Sequence, residues 1–227
     1  MAISTFFTKW SPEMAYVLGF FAADGSMYVN PRGSKYVSFY CTDKDIIWKI
    51  KHLMEATQKI SRQKRDLIRY PNWLTCYVLQ MGSLKLYNRL LELGFTPNKS
   101  TSLKFPVVPN KFLKDFIRGY FDGDGFSCFS VFKRKDRSSI GKAMLSGFVC
   151  GSKSFLMHLK NSLEKSANIQ NGTLYFYDRA FRLSYSAKNS AKLFNFMYNG
   201  VAPRLYLKRK RLEFEKNLSR YGVSVGS

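Results

Sequence analysis

The chain has 227 residues, of which 45% are hydrophobic and 16% aromatic, so it can bury the core of one large domain or two small ones and is not a disordered tail. Lys and Arg number 37 against 15 Asp and Glu, a formal net charge of +22. That excess predicts a polyanionic partner, either nucleic acid or an acidic membrane surface. No apolar run approaches the ~20 residues that span a bilayer, and no secretory leader opens the chain, so we expect a soluble, intracellular protein.

After a first helical segment, the pattern predicts two rounds of a β-hairpin followed by a helix. The predicted elements are strands 26–30 and 35–42, helix 43–56, strands 59–65 and 74–81, and helix 83–93. A second helical segment opens the same order again, with strands 127–135 and 143–150, helix 152–166, strands 172–177 and 180–186, helix 189–198 and a final basic helix 205–218. We therefore predict an α+β fold of two tandem αββαββα units with pseudo-twofold symmetry and antiparallel sheets, residues 1–100 and 110–227, joined by a linker at 101–109.

A nine-residue motif ends the opening helix of each unit, and the two copies lie 100 residues apart. The sequence VLGFFAADG occupies 17–25, and IRGYFDGDG occupies 117–125. Small residues fall on one helical face in both copies, namely Gly19, Ala23, Gly119 and Gly123. They predict that the two motif helices pack closely, which would bring the ends of the helices side by side.

Each motif ends in an Asp-Gly pair, Asp24-Gly25 and Asp124-Gly125. One such pair is an ordinary helix stop, but two at matched positions in a basic chain indicate a metal site. Two close carboxylates repel unless a cation lies between them, and hard oxygen ligands favour Mg²⁺ or Mn²⁺. Asp122 has no counterpart, because Ala22 takes its place, and is interpreted as structural or a minor helper.

Other metal chemistry has little support in the sequence. The four cysteines are far apart without a C-x-x-C pair, which makes a structural zinc site unlikely on spacing alone, and only two histidines are present. They are Cys41, Cys76, Cys128, Cys150, His52 and His158. Catalysis would therefore use carboxylates, lysines or a bound metal ion.

The paired motifs resemble those of the LAGLIDADG homing endonucleases in their single-chain form. The resemblance covers nearly the whole chain in element order, and the first motif departs from the pattern only at Ala22, where an acidic residue is frequent. It implies a monomer with a saddle of two sheets over double-stranded DNA and Mg²⁺-dependent cleavage of both strands at a long, asymmetric site. The implied metal ligands are Asp24 and Asp124, with the adjacent Gly25 and Gly125.

Alternate residues of the predicted strands form a polar, aromatic face suited to phosphate contacts and base recognition. In the first half these are Ser26, Tyr28, Asn30, Arg32, Tyr36, Ser38, Tyr40, Lys59, Ser61, Gln63, Arg65 and Gln80. In the second half they are Cys128, Ser130, Phe132, Arg134, Thr173, Tyr175, Tyr177, Arg182 and Ser184. For any single residue, ordinary solvated strand surface is the alternative interpretation.

The resemblance also implies a lysine near each scissile phosphate, and we assign Lys99 and Lys210 to that role, with Lys208 and Arg209 as competitors. Asp43 and Ser152 match positions where members of the family hold a water-organising polar residue. Both are also natural N-caps, and we favour the cap.

Two other functions stay open from the sequence, and a third is argued against. An intron RNA-binding maturase, alone or combined with the nuclease, is the main alternative, because one fold serves several functions. A DNA-binding regulator on the same scaffold is the second, although both functions would tolerate loss of the aspartates that this chain retains. A membrane-surface protein would need a basic helix with a broad apolar face, and the C-terminal segment is too uniformly charged for that.

Overall fold

The computed structural model describes residues 3–63, 74–133 and 139–224. The chain divides into two compact units, one made of Met1–Lys99 with Pro106–Gly123 and the other of Ser100–Phe105 with Asp124–Ser227. These units are defined by packing, whereas the predicted repeats are defined by sequence similarity. The boundaries of the predicted repeats therefore stay a prediction. Among the described residues, none of the helices is long and apolar enough to cross a bilayer.

Outside residues 1–2 and 64–73, the first unit contains four strands and four α-helices. The helices are α1 (Pro12–Asp24), α2 (Lys44–Leu53), α3 (Leu84–Glu92) and α4 (Leu113–Asp124, of which Asp124 belongs to the second unit), and the strands are β1 (Gly25–Val29), β2 (Lys35–Cys41), β3 (Ile60–Gln63) and β4 (Cys76–Gly82). The strands form one antiparallel sheet in the order β1-β2-β4-β3. Its core is aromatic: the Phe21 ring packs edge-on against Phe39 and Phe95, each with a centroid separation of 5.4 Å.

The second unit repeats this arrangement. Its strands are β5 (Gly125–Lys133), β6 (Ile140–Cys150), β7 (Thr173–Tyr177) and β8 (Ala180–Ser186), and its helices are α5 (Lys153–Ala167), α6 (Ala187–Tyr198) and α7 (Lys208–Tyr221). The antiparallel sheet has the order β5-β6-β8-β7. The predicted α+β class and the αββαββα order in each half are therefore confirmed.

Capping side chains explain where several helices begin. The hydroxyl oxygens of Ser11, Ser83 and Ser152 accept hydrogen bonds from the backbone N–H groups three residues later, at 3.0, 3.2 and 3.3 Å. The prediction of a cap is confirmed for Ser152. Asp43 also occupies the predicted N-cap position of α2, but its side chain makes no capping hydrogen bond to the helix.

Two predicted helix starts are corrected by short 3₁₀ turns. Residues Asn110–Phe112 form such a turn, so α4 begins at Leu113 and not near Pro109. Residues Pro203–Leu205 form another, and Tyr206 is extended, so α7 begins at Lys208. The predicted starts, at Pro109 and Leu205, are therefore four and three residues early, because proline favours the first position of a 3₁₀ turn as well as of an α-helix.

Candidate nucleic-acid interface and metal ligands

In the first unit, the strand register places the predicted polar residues of β1, β2, β3 and β4 on one face of the sheet. Ser26 is paired with Ser38, Tyr28 with Tyr36, and Ser38 with Gln80. The opposite face holds Met27, Val37, Phe39, Leu79 and Met81, all buried. Because side chains alternate along a strand, the pairing register determines which residues lie on the polar face and which lie on the buried face.

The polar face of the first sheet is organised by its own hydrogen bonds. The Gln80 amide donates to the Tyr28 hydroxyl at 3.0 Å and to the Ser38 hydroxyl at 3.4 Å. The Tyr28 and Tyr36 rings stack with centroids 5.0 Å apart. Ser38 is fully buried, so it orients Gln80 and does not form part of the outer surface.

Five of the predicted contact residues lie outside these strands or outside the described residues. The Asn30 side chain accepts hydrogen bonds from the N–H groups of Arg32 and Ser34, at 3.1 and 2.7 Å, and so shapes the β1–β2 turn, where Arg32 is exposed. Lys59 precedes β3. Arg65 and Arg134 fall outside the described residues.

In the second unit, the register again places the predicted residues on one face. Thr173 is paired with Ser184 and Tyr175 with Arg182, while Cys128 and Ser130 follow the same alternation along β5. The Tyr175 and Ser184 hydroxyls are hydrogen-bonded at 3.2 Å. The Arg182 guanidinium stacks on the Tyr177 ring, 4.7 Å from its centroid. Aromatic rings and cations thus share a surface that nucleic-acid bases and phosphates can contact.

Close helix packing in the first unit depends on glycine. A Cβ on Gly19 would overlap the Phe116 carbonyl oxygen, and a Cβ on Gly119 would overlap the Tyr16 carbonyl oxygen. A Cβ on Gly123 would overlap that of Ala23 and would lie 3.1 Å from Oδ2 of Asp24. The small side chains therefore let α1 and α4 meet backbone to backbone, as the motif spacing predicts.

The motif aspartates each end a helix, immediately before the first strand of a sheet. Asp24 is the last residue of α1, and the N–H of Gly25 donates to the Phe21 carbonyl, which closes that helix. Asp124 is the last residue of α4, before β5 begins at Gly125. Both aspartates are half-buried. Among the described residues, no three His, Cys, Asp or Glu side chains cluster as a metal site.

The two assigned lysines lie beside the motif segments of their own units. Lys99 is buried, and its Nζ donates to the Ala22 carbonyl at 2.8 Å and to that of Ala23 at 3.4 Å, at the end of α1. Lys210 donates to the Gly125 carbonyl at 2.8 Å. Its competitors lie on the outside of α7: Lys208 is exposed, and Arg209 is 3.7 Å from Glu213 in a surface ion pair.

A known protein family matches the part of the chain that contains the first motif. Residues 11–94 match the LAGLIDADG-like domain family. A relative in Methanocaldococcus jannaschii, the uncharacterized protein MJ0398, is 24% identical over 215 residues, covering 92% of this chain and 72% of the relative.

Solved structures of homing endonucleases and meganucleases share the fold over 92–96% of this chain. The homing endonuclease I-WcaI bound to its DNA recognition sequence is similar with a TM-score of 0.60 and 16% identity, covering 92% of this chain and 91% of that chain. The LAGLIDADG homing endonuclease I-LtrWI bound to target DNA gives 0.61 and 13%, covering 92% and 90%. The LAGLIDADG meganuclease I-AabMI bound to uncleaved DNA gives 0.59 and 12%, covering 96% and 94%.

One contact near the second motif, residues 117–125, was missed from the sequence. The Asn217 amide donates to the carbonyl and the hydroxyl of Ser127, at 3.2 and 3.1 Å, and ties α7 to β5. With Lys210 and Phe214, Asn217 lies on one helical face at spacings of four and three residues. The sequence does carry a signal for this contact, because Asn217 is an uncharged polar residue on the same helical face as Lys210 and Phe214. The many basic residues of the helix obscure that signal.

Proposed function

We propose that this protein is a site-specific DNA endonuclease that makes a double-strand break in a long, non-palindromic target by metal-dependent phosphodiester hydrolysis. The observation that carries the proposal is the polar, aromatic face on each four-stranded sheet, in a fold whose solved examples include homing endonucleases bound to DNA. The net charge of +22 supports a polyanionic partner, since lysine and arginine release counterions from the phosphate backbone.

The two faces differ in chemistry, and this supports an asymmetric target read by a monomer. Tyr28, Tyr36 and Gln80 dominate the first face, whereas Tyr175, Tyr177 and Arg182 dominate the second. Amide, hydroxyl and guanidinium groups select different base edges in the major groove. Each unit would therefore recognise its own half-site.

Asp24 and Asp124 fit the role of ligands to Mg²⁺ or Mn²⁺. Both are half-buried carboxylates at the end of a helix, and hard oxygen donors suit these ions. When bound, the metal supplies an activated water and stabilises the charge that develops on the leaving oxygen. The backbone carbonyls of Gly25 and Gly125 are the additional candidate donors, although that of Gly125 already accepts a hydrogen bond from Lys210.

Lys99 and Lys210 each donate a hydrogen bond to a backbone carbonyl of a motif segment. Each also carries a positive charge, which suits the negative charge of a phosphoryl transition state. Each ammonium is fixed by a backbone carbonyl within two residues of a motif aspartate. A fixed cation stabilises negative charge on a phosphate without first reorganising. We propose that these lysines hold the scissile phosphates and stabilise the charge that builds on them.

The proposal is tested by cleavage of a randomised duplex library in Mg²⁺, with binding to the same DNA measured in Ca²⁺. We expect enrichment of one long site cut in both strands. Asp24→Asn and Asp124→Asn should each abolish cleavage while binding persists. Asp45→Asn, which changes an exposed carboxylate in the first turn of α2, is the matched control and should cleave normally.

Two results would contradict the proposal. Cleavage that survives both motif substitutions would remove Asp24 and Asp124 from the reaction. Tight binding to structured intron RNA, with no metal-dependent cut in any duplex, would instead favour the maturase function.

A further inference from the structure

Arg182 lies on the polar face of the second sheet, in one of its two inner strands. It lies in β8, paired with Val149 of β6 on one side and with Tyr175 of β7 on the other. Its guanidinium carbon is 4.7 Å from the centroid of the Tyr177 ring. A guanidinium stacked on an aromatic ring is held in one plane, so its fork of N–H groups has a defined direction.

The Arg182 side chain carries a buried donor, its Nε, for which the described residues supply no acceptor. The two hydroxyls on the same face that lie nearest in register, those of Tyr175 and Ser184, are hydrogen-bonded to each other at 3.2 Å. A buried donor without an acceptor costs free energy, and a ligand that supplies acceptor oxygen or nitrogen atoms recovers it.

We infer that Arg182 reads a guanine in the half-site bound by the second unit. Guanine offers two neighbouring acceptors, O6 and N7, in the major groove, and their spacing matches the guanidinium fork. This inference rests on the proposed DNA function. It goes further because it assigns one side chain to one base identity.

A phosphate contact is the competing role for any arginine on this face. Phosphate contacts position a protein without reading sequence, and the same hairpin provides an exposed cation for that role in Arg179, at the β7–β8 turn. Arg182 is instead half-buried and stacked in the middle of a four-stranded sheet. That location suits a base edge.

The first sheet has no equivalent of this arginine. Gly25, Phe39 and Leu79 are paired across the first sheet as Gly125, Phe148 and Leu183 are across the second. This correspondence places Val78 where Arg182 lies, and Ser61 where Tyr175 lies. A guanine preference set at this register position should therefore be confined to the half-site of the second unit.

Selection of bound duplexes from a randomised library in Ca²⁺ tests the assignment. For the wild-type protein we expect one position in a single half-site to be guanine. Arg182→Gln should relax that position alone, with a loss of discrimination of about tenfold to a hundredfold, and adenine should gain most because Gln pairs with its N6 and N7. Tyr177→Leu, which removes the stacked ring, should weaken the same preference.

Arg179→Gln is the matched control, because it removes one positive charge from the same hairpin. It should reduce affinity for all sequences and leave the base preference intact. If Arg182→Gln also weakens binding uniformly and selects the wild-type sequence, Arg182 contacts phosphate and the inference is wrong. If the wild-type protein selects no duplex at all, the proposed function itself is wrong, and the two failures are distinguished by the wild-type selection.

Discussion

The Tyr16 hydroxyl donates a hydrogen bond to Oδ2 of Asp122 over 2.7 Å, and the bond is buried between α1 and α4. Asp122 is 2% exposed and Tyr16 is fully buried. One turn before Asp122 on the same helix, Arg118 is fully buried and pairs with Asp115 at 2.6 Å, and its guanidinium carbon is 5.5 Å from the centroid of the Tyr16 ring. Asp122 is therefore part of the helix packing, in keeping with its interpretation as a structural residue.

Removing the Asp122 carboxylate should destabilise the protein without removing cleavage. Asp122→Ala takes the acceptor from a buried hydroxyl, and we expect the free energy of unfolding to fall by about 1–3 kcal/mol. Asp122→Asn keeps an acceptor oxygen and should cost less. Urea unfolding measures both, and cleavage by Asp122→Asn should persist. Loss of cleavage in a fully folded Asp122→Asn protein would instead place this carboxylate in the reaction.

A double-mutant cycle isolates the bond itself. Tyr16→Phe and Asp122→Ala, combined, should cost less than the sum of the two single changes, because both remove the same interaction. Strict additivity would mean that the hydrogen bond contributes nothing to stability.

A side chain on Gly119 should disrupt the contact between α1 and α4. The added Cβ would overlap the Tyr16 carbonyl oxygen, and backbone atoms have little freedom to move away. We expect Gly119→Ala to lower the free energy of unfolding by about 1–3 kcal/mol or more. Gly82→Ala is the control, since its Cβ would lie 3.4 Å from the Tyr36 ring, an ordinary contact. Equal unfolding midpoints for the two variants would contradict the packing argument.

Element order and sheet faces were predictable because they depend on local patterns. Alternation along β1 and β2 separates Tyr28 and Tyr36 from Met27 and Val37, and the register follows from that separation. The long-range bonds were not predictable. Asn217 is 90 residues from Ser127, and Tyr16 is 106 residues from Asp122, so neither partner is visible in the local sequence.

Lys210 and Lys208 offer a matched test of the lysine assignment. Both are on the first turn of α7, but only Lys210 of the two donates to the Gly125 carbonyl among the described contacts. Under the proposed function, Lys210→Met should slow cleavage about a hundredfold or more in single-turnover kinetics. Lys208→Met removes the same charge from an exposed position and should change the rate little. A larger effect at Lys208 would reverse the assignment.

The buried hydroxyl of Tyr185 should make the protein sensitive to alkali. Burial raises the pKa of this hydroxyl above its usual value, and the Glu164 carboxylate raises it further. Within the described residues the hydroxyl has no hydrogen-bond partner, so the neutral form is favoured in the folded state. Because the folded pKa is raised, this stabilisation is complete below a pH of about 10, where the unfolded tyrosine titrates, and is lost as the pH rises further.

Tyr185→Phe should remove that sensitivity. We expect wild-type stability above pH 10 to fall by about 1.4 kcal/mol per pH unit from this group, and the variant to lack that contribution. At neutral pH the variant should be as stable as the wild type or more so, because a buried donor without a partner is removed. Urea unfolding from pH 7 to 11 gives both results. Tyr221→Phe, which removes an exposed hydroxyl, is the control and should follow the wild type. A Tyr185→Phe protein with unchanged alkaline stability and a large loss at pH 7 would show that the hydroxyl forms a stabilising bond.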